Sequence, residues 1–176
     1  MDCHRAGVRP KGKRVSFSKR LRHDAEMGAH HDGSIRYMMI RPDALMGIFS
    51  RLSPDARREA LEALGASIRE RGGQSAATYV DAEGKSRLLH TIEATASELG
   101  WGAWRFEERG AGYALVVKHS PFAHGARFEG PACHAIAGMC EAVGSIVTGG
   151  PVAASETHCA NAGSDHCRFL IEPGSV

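Results

Sequence analysis

No stretch of this 176-residue chain approaches the roughly 18 consecutive apolar residues that a membrane-spanning helix needs. The N-terminus also lacks the apolar core and small-residue cleavage site of a signal peptide, so the expected location is the cytoplasm. Nucleotide-binding loops are missing as well. Gly110-Ala111-Gly112 is not followed by the third glycine and helix start of a dinucleotide fingerprint. Gly84-Lys85-Ser86 ends like a phosphate loop, but Tyr79 stands where the earlier glycine is required. There is no internal repeat. The low hydrophobicity of a disordered chain is absent too: 43% of residues are hydrophobic and 24% charged, which predicts one folded unit with a real core.

The small formal charge of +2 conceals an asymmetry. Residues 1–22 hold eight of the 22 Lys and Arg against one acid, Asp2, so this segment alone carries about +7. The 14 basic and 19 acidic residues that follow leave the body at −5. A nucleic-acid binder places positive charge on its folded surface with aromatics among it, whereas here the body is acidic and only Phe17 interrupts the basic stretch. Nucleic acid is therefore not an expected partner. Residues 1–34 are expected to form a basic, disordered tail, with weak attraction to anionic lipid as its alternative use. Residues 35–176 form the expected domain.

Within that domain, Ile35-Arg36-Tyr37-Met38-Met39-Ile40 predicts a short strand. Pro42 then stands where a helix can begin, because its missing N–H costs nothing there, and Leu45, Ile48 and Phe49 mark the helix. Ser53, Pro54 and Asp55 supply the N-cap, first-turn proline and acidic start of a second helix, with Leu61, Leu64 and Ile68 on one face and Gly72-Gly73 as its end. Leu88, Leu89, Ile92, Ala96 and Leu99 predict a third helix over 85–99, stopped by Gly100. Trp104 and Phe106 alternate with charged neighbours, Gly110-Ala111-Gly112 makes a turn, and residues 113–118 return as the second strand of a hairpin. After a loop over 120–130, Ile136, Met139, Cys140, Val143 and Val147 form the apolar face of a fourth helix closed by Gly149-Gly150. Two short strands, 152–157 and 168–172, finish the chain.

Four of the five cysteines fall in the last 44 residues, and Cys159 and Cys167 bracket a loop. A cytoplasmic setting disfavours a disulfide, and Cys140 sits on the apolar helix face as a plain core thiol. For the others, spacing leaves disulfide, inert buried thiol and metal ligand open. Seven residues between Cys159 and Cys167 is looser than a paired zinc motif, and His134, His158 and His166 are rival ligands.

The last third of the chain nevertheless resembles the 4-vinyl reductase domain family. The resemblance rests on Ser120-Pro121-Phe122-Ala123, then Cys133-His134 with Gly138, then Glu156, Cys159, Gly163, Cys167 and Phe169 in the family's order and spacing. It covers residues 115–172 by motif, and the preceding layout is compatible back to about residue 35. The resemblance implies an α+β fold like that of Bet3-type trafficking proteins, with helices packed on one face of an antiparallel sheet, an apolar cavity and a homodimer. In aromatic-sensing relatives a zinc ion is held by three cysteines and a glutamate placed as Cys133, Glu156, Cys159 and Cys167 are here. A set with no open position implies a structural ion. His134 would orient the site from beside it.

Within the family, the opening at Ile35 is most similar to the bacteriochlorophyll 4-vinyl reductase proteins of photosynthetic bacteria. That similarity implies a chlorophyllide-type magnesium tetrapyrrole as ligand, other bacteriochlorophyll-synthesis enzymes as partners, and peripheral contact with the photosynthetic membrane. His90, His119 and His124 are then the candidate axial ligands to magnesium, and Trp104, Phe106, Tyr113 and Phe122 the candidate lining of the cavity. Vinyl reduction needs an electron source, and neither a nucleotide loop nor a four-thiolate iron–sulfur set is present. A carrier or accessory factor is therefore expected rather than a self-sufficient reductase. The alternative from another class is a small-molecule-sensing, zinc-containing regulatory module; a purely structural scaffold comes third.

Overall fold

The computed structural model describes residues 16–77 and 85–174. Cys3 and part of the basic leader lie outside the described residues, as do Tyr79 and Gly84. The chain divides into two units, Met1–Tyr37 and Met38–Val176.

The described part of the first unit holds a single helical turn, α1 (Phe17–Arg20), and three short strands, β1 (Arg22–Asp24), β2 (Ala29–Asp32) and β3 (Ile35–Tyr37). They form an antiparallel sheet in the order β1-β2-β3. Gly28 and Gly33 adopt φ of +58° and +61° in the two turns, a region that glycine enters without steric cost. Arg20 clips the far strand with a bidentate pair to Asp32, at 2.8 Å for its closest contact. The Phe17 ring meets Tyr37 edge-on, with centroids 5.1 Å apart. Order therefore begins well before Ile35, contrary to the expectation of a tail through residue 34. The strands are polar on both sides, so they lack the alternation by which a half-buried strand announces itself. Met38, Met39 and Ile40 do not continue β3; they are exposed.

The second unit runs α2 (Pro42–Phe49), α3 (Pro54–Ala77), α4 (Lys85–Glu98), β4 (Ala103–Arg109), β5 (Gly112–Lys118), α5 (Pro121–Gly125), α6 (His134–Thr148), β6 (Val152–His158) and β7 (Cys167–Pro173). Its sheet is antiparallel throughout, in the order β4-β5-β7-β6. Register places Trp104, Val117 and Cys167 in one cross-strand row and Phe106, Leu115, Phe169 and Glu156 in the next. Leu115, Val117, Cys167 and Phe169 on that face are fully buried. Helix α4 packs on β4, α6 packs on β6 and β7, and α3 lies against α6. This is the expected α+β arrangement. No helix among the described residues is long and apolar enough to cross a membrane.

Local signals account for most boundaries. Pro42 occupies the first turn of α2, Ser53 Oγ accepts the Ala56 N–H at the start of α3, and Gly149 ends α6 at φ +83°. In α2, Met46 and Phe49 enter the core while Ile48 stays exposed, a rotation of the expected face. The larger departure is α3, which continues through Gly72 and Gly73 to Ala77. A Cβ on Gly72 would lie 2.5 Å from Met139 Cε, and one on Gly73 would lie 3.2 Å from Ala142 Cβ. These glycines are the surface on which α6 rests, and the packing they allow offsets the roughly 1 kcal/mol each costs a helix.

Candidate functional site

Four side chains converge where α6 begins and the terminal hairpin turns. Cys133 is the N-cap residue of α6, Glu156 lies on β6, Cys159 precedes a single 3₁₀ turn (Ala160–Ala162), and Cys167 opens β7. One ligand atom from each lies within 4.8 Å of the others. An irregularity in the β6–β7 register between Glu156 and His158 lets a strand and the loop after it aim donors at one point. The three thiols are buried and are not joined in disulfides, with Cys133 Sγ and Cys167 Sγ 3.5 Å apart.

Each ligand has a further hydrogen bond from the protein. Ser120 Oγ lies 3.2 Å from Cys133 Sγ, the Cys133 N–H donates to Glu156 Oε2, the Ala132 N–H to Cys159, and the Ala160 N–H to Cys167 Sγ. Ser120 also N-caps α5 by accepting from Ala123, with Pro121 in the first turn. The Ser-Pro start of a helix is legible in sequence as a cap; its contact with a residue 13 positions away is not.

The electrostatics of the cluster are those of donors lacking a cation. Hydrogen bonds with Cys159 and Cys167, then burial and the Glu156 charge, hold the Cys133 thiol far above its ordinary range. Cys159 falls well below it, because its sulfur accepts from Cys133 and Cys167. Cys167 is pulled down by Cys133, but its bond with Cys159 and its burial outweigh this and carry it to about 12. Burial, followed by Cys159, pushes Glu156 to about 8. Glu156 Oε1 is buried without a hydrogen-bond partner. A divalent cation at the centre would satisfy that oxygen and compensate the thiolates, so the donor set fits a thiophilic metal ion.

The rival histidines take no part. His134 follows Cys133 on α6, its Nδ1 is buried without a partner, and burial lowers its pKa. His158 and His166 stack with ring centroids 5.9 Å apart, and His166 Nδ1 pairs with Asp165. Cys140 is buried in the core, where desolvation raises its thiol.

Asn161 is not singled out by the sequence, yet it latches the site. Its amide nitrogen donates to Phe128 O and Gly130 O, both at 2.7 Å, joining the turn after Cys159 to the loop that leads into Cys133. Asn161→Ala removes both bonds and is expected to cost about 1–2 kcal/mol. Chemical denaturation would register this as a lower midpoint with an unchanged slope, and an unchanged midpoint would dismiss the latch.

The ligand candidates are only partly brought together. His90, Phe106 and Tyr113, with Leu89, Glu93 and Glu108, line a cavity of about 150 Å³ between α4 and the β4–β5 hairpin. Trp104 instead fills the core, donating its Nε1–H to Trp101 O at 2.9 Å beside a separate apolar crevice of about 40 Å³. Phe122 is buried edge-on against Trp101, and His119 and His124 are exposed outside the cavity. His119 has a left-handed φ of +59°, so it serves the turn between β5 and α5. Glu93 escapes sequence reasoning because a helical carboxylate reads as solvated surface; here its Oε1 accepts the Phe106 N–H at 2.6 Å across the cavity wall.

No curated protein sequence matches the chain. Among solved structures, the chain is similar to the phenol-responsive sensory domain of the transcription activator PoxR, solved with phenol. The two are 18% identical, with a TM-score of 0.72 over 89% of this chain and 86% of that one. It is also similar to a vinyl-4-reductase family protein from Methanocaldococcus jannaschii, at 14% identity and a TM-score of 0.52 over 81% of this chain and all of that one. At these identities the likeness is one of fold. Residues 114–173, which carry all but one of the four ligands on the terminal hairpin and the last at the start of α6, match the vinyl-4-reductase domain family, and the α+β fold around them is that of a sensory domain and of a vinyl-4-reductase family protein.

Proposed function

We propose that this chain is a small-molecule-binding module of the sensory type, built on the vinyl-4-reductase domain and held in shape by a structural zinc ion at Cys133, Glu156, Cys159 and Cys167. The observation that carries the ligand reading is the cavity between α4 and the hairpin, where aromatic and titratable side chains from three elements surround about 150 Å³. Ligand pockets for drug-sized molecules run to about 300–1,000 Å³, so this one suits a single ring. The phenol-responsive neighbour supports that scale. Three thiolates and a carboxylate fill the four positions of a tetrahedral zinc ion and leave none for substrate, so the metal ties α6 to the terminal hairpin.

The second reading is a carrier or accessory factor for a chlorophyllide-type tetrapyrrole in bacteriochlorophyll synthesis. It draws support from the motif order between Ser120 and Phe169 and from the fold shared with a vinyl-4-reductase family protein. It requires the cavity to widen several-fold.

One titration separates the two. Zinc-loaded protein is titrated with a panel of charged and neutral single-ring aromatics by calorimetry, and with divinyl chlorophyllide by absorption. Saturable one-to-one binding of a single-ring compound, lost in Tyr113→Ala, is the expected outcome. A saturable chlorophyllide shift without single-ring binding would transfer the assignment to the carrier, and silence in both arms would end both readings.

A further inference from the structure

Building on the cavity reading, we infer that this site selects small organic cations, of the size and chemistry of an aromatic amine, over phenols and carboxylates of equal size. The walls supply a charge pattern that a neutral aromatic ligand does not need. Glu93 comes from α4 and Glu108 from β4, while Phe106 and Tyr113 present ring surface and Leu89 apolar contact. Among the described residues, no lysine or arginine lines the cavity, and the one basic group there, His90, is largely exposed with its Nδ1 3.2 Å from Glu93 Oε2.

Glu93 is well placed to anchor a cation. Its side chain is only 21% exposed, and the Phe106 N–H and the His90 ring each engage one of its oxygens. An ionised carboxylate has about four acceptor sites, so these two contacts orient the group without exhausting it. An ammonium offers donors and no acceptor, which matches two carboxylates. The adjacent rings add cation–π attraction. A phenol brings one donor while its oxygen lone pairs face negative charge, and a benzoate meets like charge outright. The rim residue Glu108 is exposed and pairs across the strands with Tyr113, so charge and ring act on the same end of a bound molecule. The lining is not a metal site, because among the described residues the one His/Cys/Asp/Glu group able to hold an ion is the Cys133 cluster.

The test is calorimetric titration of the full, metal-loaded chain at neutral pH with benzylamine, phenol and benzoate. Benzylamine is expected to bind at least about ten-fold tighter than phenol, with no measurable benzoate binding. Glu108→Gln should weaken benzylamine about five-fold, leave phenol unchanged and leave the melting temperature in place. Phenol binding as tightly as benzylamine, or benzylamine insensitive to Glu108→Gln, would overturn the charge preference while leaving the cavity occupied. Failure of all three probes would overturn the cavity reading with it.

Discussion

Cys159→Ala is expected to lose its bound metal and to melt about 10 °C below the parent chain. An ion that binds only the folded state adds about 4 kcal/mol when its concentration is a thousand-fold above its dissociation constant, and a domain of this size shifts by about 2–4 °C per kcal/mol. The loss is large because Cys159 shares a point with donors from α6, β6 and β7. Cys140→Ala is the control, since Cys140 is equally buried but outside the cluster. It should keep full metal stoichiometry. Undiminished metal content and melting temperature in the Cys159 variant would show that the cluster is not a metal centre.

The same site dictates a pH dependence with a definite sign. In the metal-free fold Glu156 titrates at about 8, above an unfolded carboxyl, so its contribution to stability is present below about pH 4.5 and is lost as pH rises toward 8. Ligation reverses this, because a metal-bound carboxylate must be ionised, and stability is then lost as pH falls. At neutral pH, loading also displaces the protons of Cys133 and Cys167, so about three protons leave per ion and apparent affinity climbs steeply with pH. The melting-temperature gap between zinc-loaded and chelator-stripped protein should therefore widen from pH 5 to pH 8. A gap independent of pH would remove Glu156 from the ligand set.

The second large effect is expected at the crossing of α3 and α6. A Cβ on Gly138 would lie 2.0 Å from Gly65 O, and one on Gly65 would lie 2.8 Å from His134 O. Backbone cannot swing aside as a side chain can, so Gly138→Ala must push the two helices apart, at a cost of about 3 kcal/mol or more. Because α6 begins immediately after Cys133, the same displacement carries a metal ligand off its point. Weakened metal binding should therefore accompany the lower stability. Gly72→Ala meets only the flexible end of Met139 and should be milder. Equal stability of the Gly138 and Gly72 variants would mean that the helices do not touch through their backbones.

What the sequence determined alone was whatever rests on short-range periodicity or on donor chemistry. The apolar face of α6, the turn between β4 and β5, and the thiol and carboxylate types suited to a soft divalent ion needed no partner to be legible. The family resemblance then pointed to Cys133, Glu156, Cys159 and Cys167, and the fold brings these four together. Tertiary structure decided everything that depends on a second element arriving. Gly72 and Gly73 look like a helix stop until α6 packs on them, and the polar strands β1–β3 show no alternation until they pair. Asn161 is one loop amide among others until Phe128 and Gly130 present their carbonyls, and Glu93 is a surface acid until Phe106 donates to it. The physical reason is common to all four. Backbone hydrogen bonds and close helix contacts join residues far apart in sequence, and their strength depends on geometry that the identity of either partner does not encode.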